Sequence, residues 1–439
     1  MSEPHTLRRT LGFTDLLLIG IGTVIGSGVY LVPSVVLREA GMRPGAALGV
    51  WVVGGVLSLL GALTYAELGA AKPDAGGLYA YLRDAFGPGL AFLYGWTMFV
   101  VIASGSIATL AVAFSSYLGQ LVTLSPVAAR VVSIGVIVLL AAINVRGTRN
   151  SANLQNLTTA AKVAGLLLLA GVLMMFGRAP TASPGSGAAG GLTMTGIGAA
   201  MIAVLWAYEG WQYVTFSAGE ARDPQREFPR AITLATAALI VIYLLANLGY
   251  IAALGPAGVA GSERVAAESV ATVMGDTAGK AVGALILLSI FSAANGLFLT
   301  TPRMFFAMAR DGVFFRRLAD VHPRFETPAF AIGAIAVWAA LLAATGTFQQ
   351  LLTYVVFTGW AFYALGGVAV FVLRRRAPDA PRPFRVPGYP VTPLLFVLAA
   401  GALVLNTMIT QPMRAAVGLG AVLLGAPVFS LWRRRSPLG

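Results

Sequence analysis

The sequence predicts an all-α integral membrane protein of twelve spans, on three observations. The first is composition: 57% of the 439 residues are hydrophobic, only 11% are charged, and the mean hydropathy is +0.81. A soluble globular chain carries about 25% charged residues, so the polar surface here is too small to coat a particle in water. The second is periodicity. Apolar residues recur in blocks of about 20, the length an α-helix needs to cross about 30 Å of hydrocarbon. A membrane β-barrel would instead show alternating segments of about ten residues. The third is the placement of charge. With twelve spans both termini share a side, and 22 of the 30 Lys and Arg fall on it, against 7 on the other. That is the positive-inside pattern, so both termini are expected to be cytoplasmic and the chain to be multi-pass in a cell membrane. The net charge of +13 therefore reports topology, and no nucleic-acid partner is expected.

Taken in order, the apolar blocks run 13–37, 45–70, 88–118, 126–145, 155–177, 193–219, 229–254, 278–307, 327–345, 348–373, 391–410 and 413–432. No separate soluble domain interrupts them, and 1–439 reads as a single transmembrane domain. The connector 178–192 is rich in Pro, Gly, Ala and Ser. The connector 374–390 follows three arginines with five prolines and is expected to be stiff. The segment 255–277 holds Gly255-Pro256 and several charges, room for a short surface helix. Met1–Thr10 is short and polar and the first apolar block is a full span, so no cleavable signal peptide is expected. With no cysteine there are no disulfides, no thiol chemistry and no Cys-based metal site. The two histidines, His5 and His322, lie in polar stretches. Neither a cofactor nor a metal is expected, and an intramembrane enzyme lacks its nucleophile and base.

Two spans are interrupted at their middles. Span 1 carries Gly20, Gly22, Gly26 and Gly28 within nine residues, and span 6 carries Ala207-Tyr208-Glu209-Gly210-Trp211 at membrane depth. Paired breaks at matching positions of two halves point to a transporter binding site. Amides of Gly26, Ser27 and Gly28 at the start of a half-helix suit a carboxylate. Free carbonyls at Val24 and Ile25 and around Trp206–Tyr208 suit an ammonium. Together they describe a site for a small zwitterion, although glycines of this kind also serve close helix packing.

Charged residues in the spans extend the candidate list. A carboxylate or ammonium at bilayer depth costs about 2.5–3.5 kcal/mol on insertion scales, so each needs a cavity or a partner. Glu209 can steer a substrate amine, titrate, or cap broken backbone. Lys162, a turn or more into span 5, can act as a fixed cation or proton carrier near the break, or reach back to the interface. Tyr213 and Trp360 are candidate pocket walls, Asn295 a candidate polariser from span 8, and Glu67 a candidate gate or loop ion-pair partner.

The residues then carry a resemblance. Gly22-Thr23-Val24-Ile25-Gly26-Ser27-Gly28-Val29-Tyr30 through Pro33, and Tyr65-Ala66-Glu67-Leu68 with Pro73-Asp74-Ala75-Gly76-Gly77-Leu78-Tyr79, resemble motifs of the amino acid–polyamine–organocation superfamily. Trp206-Ala207-Tyr208-Glu209-Gly210-Trp211, Gly219–Pro224, Ser292–Gly312, His322-Pro323 and Thr327-Pro328 resemble its L-type amino acid transporter family. The resemblance covers nearly the whole chain. It implies the LeuT-like fold, with inverted repeats over 1–177 and 193–373, two further helices over 391–432, a tail at 433–439, and helices 1 and 6 discontinuous. It implies sodium-independent exchange of neutral, small to medium L-amino acids by alternating access. By position, Ser27 and Gly28 bind the carboxylate, backbone near Val24 and Trp206 takes the amine, the Trp206 ring closes the site, and Lys162 stands where sodium-coupled relatives hold an ion. Two departures follow. No cysteine is present for a disulfide-linked heavy chain, which implies a self-sufficient monomer or homo-oligomer. Glu209 stands where many members have glycine, serine or aspartate, which leaves cationic substrates open. Proton symport through Lys162 or Glu209 is the alternative, and a non-transporting amino-acid sensor a remoter one.

Overall fold

The computed structural model describes residues 7–74, 76–179, 191–345 and 348–435. His5, Ala75, most of the 178–192 connector and the end of the 433–439 tail lie outside the described residues. The described chain is helical, its one non-helical pairing an isolated parallel bridge between Leu11 and Ala221. The first half comprises α1 Phe13–Val24, α2 Gly28–Glu39, α3 Pro44–Ala71, α4 Leu78–Phe86, α5 Pro88–Thr97, α6 Ala103–Leu121, α7 Pro126–Val145 and α8 Thr148–Phe176. The second comprises α9 Met194–Ala207, a 3-10 segment Trp211–Glu220, α10 Pro224–Gly261, α11 Val265–Met274, α12 Asp276–Arg310, α13 Ala329–Thr345 and α14 Phe348–Arg376. After these come α15 Val391–Thr410, α16 Pro412–Leu423 and α17 Gly425–Arg435.

Proline starts many of these helices: Pro44, Pro88, Pro126, Pro224 and Pro412 each occupy a first turn. There its missing N–H costs nothing and its fixed φ is already helical. Ser125 and Thr193 cap α7 and α9 by accepting from the amides of Ala128 and Gly196, which satisfies donors that have no partner inside the helix. Gly255, at φ +67°, ends the long part of α10, and α11 is the short helix expected in 255–277.

Nine stretches among the described residues are long and apolar enough to cross a membrane, and the pair α1–α2, bent by 47°, makes a tenth. They match ten of the twelve predicted blocks. The block at 193–219 divides into α9 and the 3-10 segment because the helix stops at Ala207, and the block at 327–345 forms the 17-residue α13. Long α10 lies against α3 and α8 and touches α1, and α12 touches α1, α6 and α8. The broken pair is therefore held in the middle of the bundle. Faces such as Leu157, Leu168 and Val131 stay exposed and apolar, as a lipid-facing surface must.

Candidate substrate site

Span 1 stops being helical at Val24 and resumes at Gly28, leaving Ile25–Ser27 unwound. Among the described residues, nothing accepts a hydrogen bond from the amides of Gly26, Ser27 or Gly28. Those donors sit at the start of α2, where the helix dipole adds partial positive charge. A Cβ on Gly28 would lie 2.8 Å from Ala207 Cα, so glycine is what lets the two breaks touch. Span 6 turns at Tyr208–Gly210. Gly210 has φ +129°, and a Cβ there would meet the Thr23 carbonyl at 3.0 Å, so this turn is also glycine's.

Lys162 fixes the unwound segment from the side. Its ammonium is fully buried and donates to the carbonyls of Gly22 (2.6 Å) and Ile25 (2.5 Å), with Ser289 O at 3.4 Å. It does not reach back to the interface. Tyr243 donates to Ala207 O (2.9 Å) and Val24 O (3.3 Å) and so ties the two breaks together. Glu209 is buried, and its Oε1 accepts from Tyr363 OH (2.6 Å) and Gln212 Nε2 (2.5 Å).

These elements enclose a cavity of ≈ 30 Å³. Thr23, Val24, Gly26, Ser27 and Gly28 line it from span 1, and Trp206, Ala207 and Glu209 from span 6. Ser106, Leu110, Tyr213, Ala293 and Leu297 complete the wall. A wider vestibule of ≈ 410 Å³ begins at Ser27, Gly28 and Trp206 and extends to Arg38 and Glu263. Trp206 borders both spaces, together with Ser27 and Gly28. The opposite, N-terminal face is shut. Leu11 donates to Glu220 O (3.0 Å) and accepts from Arg222 N–H (2.9 Å), and Arg303 Nε lies 2.6 Å from Glu220 with both side chains buried. Arg149 and Asn156 hold Asp15 at 2.7 and 2.6 Å. The N-terminal side is thus held by hydrogen bonds and ion pairs, and the cavity and the vestibule share Ser27, Gly28 and Trp206 as a common border.

The amino acid permease family model matches residues 11–422. The chain belongs to this family. It is 32% identical to the serine/threonine exchanger SteT of Bacillus subtilis (strain 168), over 99% of both chains. It is 31% identical to the large neutral amino acids transporter small subunit 2 of Homo sapiens, over 97% of this chain and 80% of that one. It is also 31% identical to the Asc-type amino acid transporter 1 of Mus musculus, over 99% of this chain and 83% of that one. As an amino acid permease it is a multi-pass membrane transporter and not an enzyme.

Within the permease bundle, the expected site residues divide by geometry. Val24, Gly26, Ser27, Gly28, Trp206, Ala207 and Glu209 meet at the cavity, and Tyr213 joins them. Ile25 does not line it, and its carbonyl accepts from Lys162. Tyr208 turns away: it packs against Trp51 and Tyr243 and donates to Trp51 O at 3.3 Å. Gly210 contributes its turn alone. Trp206 O already accepts from the Glu209 amide at 3.0 Å, leaving one lone pair for an amine.

The other candidates serve packing and the N-terminal face. Asn295 is an interhelical link, accepting from Asn144 (2.9 Å) and donating to Gln155 (2.9 Å), away from the cavity. Trp360 packs on Tyr363 and Phe396, behind the residue that binds Glu209. Glu67 takes Arg374 in a two-pronged pair (2.7 and 2.6 Å) and the Val386 amide (2.7 Å), anchoring the 374–390 connector. Sequence reasoning missed Thr23, Ser106, Leu110, Ala293 and Leu297 as lining residues, ordinary membrane-helix residue types. The π-turn at Met98–Ile102 just before Ser106 is a device often found at functional sites, but only the folded helix reveals it.

Proposed function

We propose that this permease exchanges neutral, small to medium L-amino acids across a cell membrane by alternating access, without sodium. The observation that carries this reading is the Lys162 ammonium on the Gly22 and Ile25 carbonyls. Unwound carbonyls of this kind coordinate the coupling cation in sodium-driven transporters, and here a side chain already fills the place. The substrate carboxylate is taken by the free amides of Gly26, Ser27 and Gly28. The amine is taken by carbonyls at the end of α1 and at Trp206. The relatives, an exchanger of serine and threonine, a transporter of large neutral amino acids and an Asc-type amino acid transporter, agree with an amino-acid zwitterion as substrate. The closed N-terminal face and the Trp206 lid supply the two gates that alternation requires.

The same reading proposes twelve spans in one domain, with inverted repeats at 1–177 and 193–373, helices at 391–432, and both termini in the cytoplasm. It also proposes that the chain works without a disulfide-linked heavy chain, there being no cysteine to form the bond.

Counterflow in proteoliposomes tests it. Labelled threonine is expected to enter only vesicles preloaded with amino acid, at equal rates in sodium and potassium. Entry into empty vesicles driven by an acid-outside gradient would replace exchange with proton symport. Binding with no flux in either case would make the protein a sensor.

A further inference from the structure

Away from the substrate site, a pocket of ≈ 470 Å³ opens between the end of α12 and α17. Arg310, Gly312, Phe314, Phe315 and Arg316 line it from the α12 side, and Trp432 from α17. The stretches long and apolar enough to cross a membrane end at Arg310 and at Trp432, so the pocket lies at the level of a bilayer surface. Tryptophan is enriched at that level. Trp432 stands edge-on to Phe315, with ring centroids 4.7 Å apart, and stacks on Phe314 at 6.2 Å. The end of α17 thus meets the turn after α12 through aromatic rings.

The charge on this pocket has one sign. Arg310 and Arg316 line it, and among the described residues no carboxylate does. Asp311, beside Arg310 in sequence, is taken by Arg83 (2.5 Å) and the Tyr79 hydroxyl (2.8 Å). Among the described residues neither lining guanidinium has a hydrogen bond or an ion pair. Arg310 has only the Phe306 ring, whose centroid is 5.7 Å away. Next to the pocket, Leu424 and Leu431 leave more than half of their surface exposed, an apolar track from the charged rim toward the bilayer core.

We propose that this pocket holds the phosphate of an anionic phospholipid, whose acyl chains lie along the exposed leucines of the last span. Arginine grips phosphate through paired N–H donors, and an anion between two unpaired guanidinium groups offsets their repulsion. Basic pockets between membrane helices take anionic headgroups in this way. A zwitterionic headgroup brings its own ammonium to a pocket with no carboxylate to meet it, so it is the poorer ligand. The bound headgroup ties α17 to α12, the helix that carries Arg303 and the cavity residues Ala293 and Leu297. The inference needs only that both helix ends lie at a bilayer surface, whichever side of the membrane that is.

The test is a lipid titration of the purified full chain in detergent, read as the thermal unfolding midpoint. Dioleoyl phosphatidylglycerol is expected to raise the midpoint by at least ~3 °C, and dioleoyl phosphatidylcholine, with the same chains, to raise it far less. Replacing both arginines, Arg310→Gln with Arg316→Gln, is expected to increase the phosphatidylglycerol concentration needed at least ~10-fold. Arg317→Gln removes the same charge one residue further on, outside the pocket lining, and is expected to behave as the wild type. All three arginines are exposed, so the substitutions leave no buried gap, and size exclusion checks the fold. Equal stabilisation by the two lipids overturns the proposal. So does an equal loss in Arg317→Gln, which would reduce the effect to diffuse surface charge. Full stabilisation by sn-glycerol 3-phosphate also overturns it, making the pocket a site for a soluble anion.

Discussion

Lys162 shows how much a single residue decides. A lysine at bilayer depth was legible in the sequence as a charge needing a partner, while the choice between a fixed cation and a side chain reaching the interface was not. The choice depends on the carbonyls of Gly22, in the last turn of α1, and of unwound Ile25, 140 and 137 residues away in sequence. Charge-assisted hydrogen bonds of this kind contribute about 1.5–3 kcal/mol each, partly offset by the cost of burying the ammonium. Lys162→Met is therefore expected to lower stability by about 1–3 kcal/mol and to cut exchange at least ~10-fold, because the break loses its side support. Melting in detergent and counterflow rates check the two parts. Unchanged flux would sink the assignment. Gly28 and Glu209 were legible for the same reason as Lys162, being costly or unusual where they stand. Tyr208 was misplaced by its adjacency to the break: its backbone ends α9, but its ring belongs to the Trp51–Tyr243 cluster.

Between elements, the decisive contacts are those that shut the N-terminal face. The chain before α1 is stapled to the end of the 3-10 segment through Leu11, and the same segment is pinned to α12 by the buried Glu220–Arg303 pair, with Thr148 of α8 on Arg303 Nη2 at 2.8 Å. The ends of both broken spans on the N-terminal face are thus tied to one another and to α12, while α2 is held separately by Tyr30 on Ser289 and Arg38 on Ala260. Sequence showed where the breaks are, because glycine and a buried carboxylate concentrate there. It did not show the latch, since Glu220 and Arg303 read as ordinary charges near span ends. Removing one partner of a buried pair strands the other and typically costs 3–5 kcal/mol. Glu220→Ala is therefore expected to favour states opened toward the N-terminal face. The chain has no cysteine, so a single Cys placed at Thr23 reports this opening without background. Its labelling from the N-terminal face should rise at least ~5-fold in Glu220→Ala, while the paired replacement of Glu220 and Arg303 by Gln and Met should be milder than either single loss. No change in labelling would show that the pair does not hold this face shut.

At the scale of the whole molecule, the bundle has two faces of unlike charge, and this difference is the basis of the orientation proposed above. The face that carries the N-terminus gathers Arg146, Arg149, Arg222, Arg226, Arg310, Arg316 and Arg317. There Arg83 pairs with Asp311 and Arg8 with Glu326. The opposite face, reached through the vestibule, has few basic residues. This asymmetry was readable from span counting alone, since it needs only the order of apolar blocks and the rule that Lys and Arg stay in the cytoplasm. Which residues border both the vestibule and the cavity was not, because that depends on how α2 packs against α9. Two exposed positions turn the orientation into an experiment, Glu263 at the vestibule rim and Arg316 after α12. In intact cells a membrane-impermeant maleimide is expected to label Glu263→Cys and to leave Arg316→Cys unlabelled until the membrane is permeabilised. A C-terminal green fluorescent fusion should fluoresce, because that fold forms in the cytoplasm. The reverse labelling pattern would invert the proposed topology. It would also place the Trp206 lid on the cytoplasmic side and the Glu220–Arg303 latch outside, so the order in which the two gates meet an incoming amino acid depends on this one result.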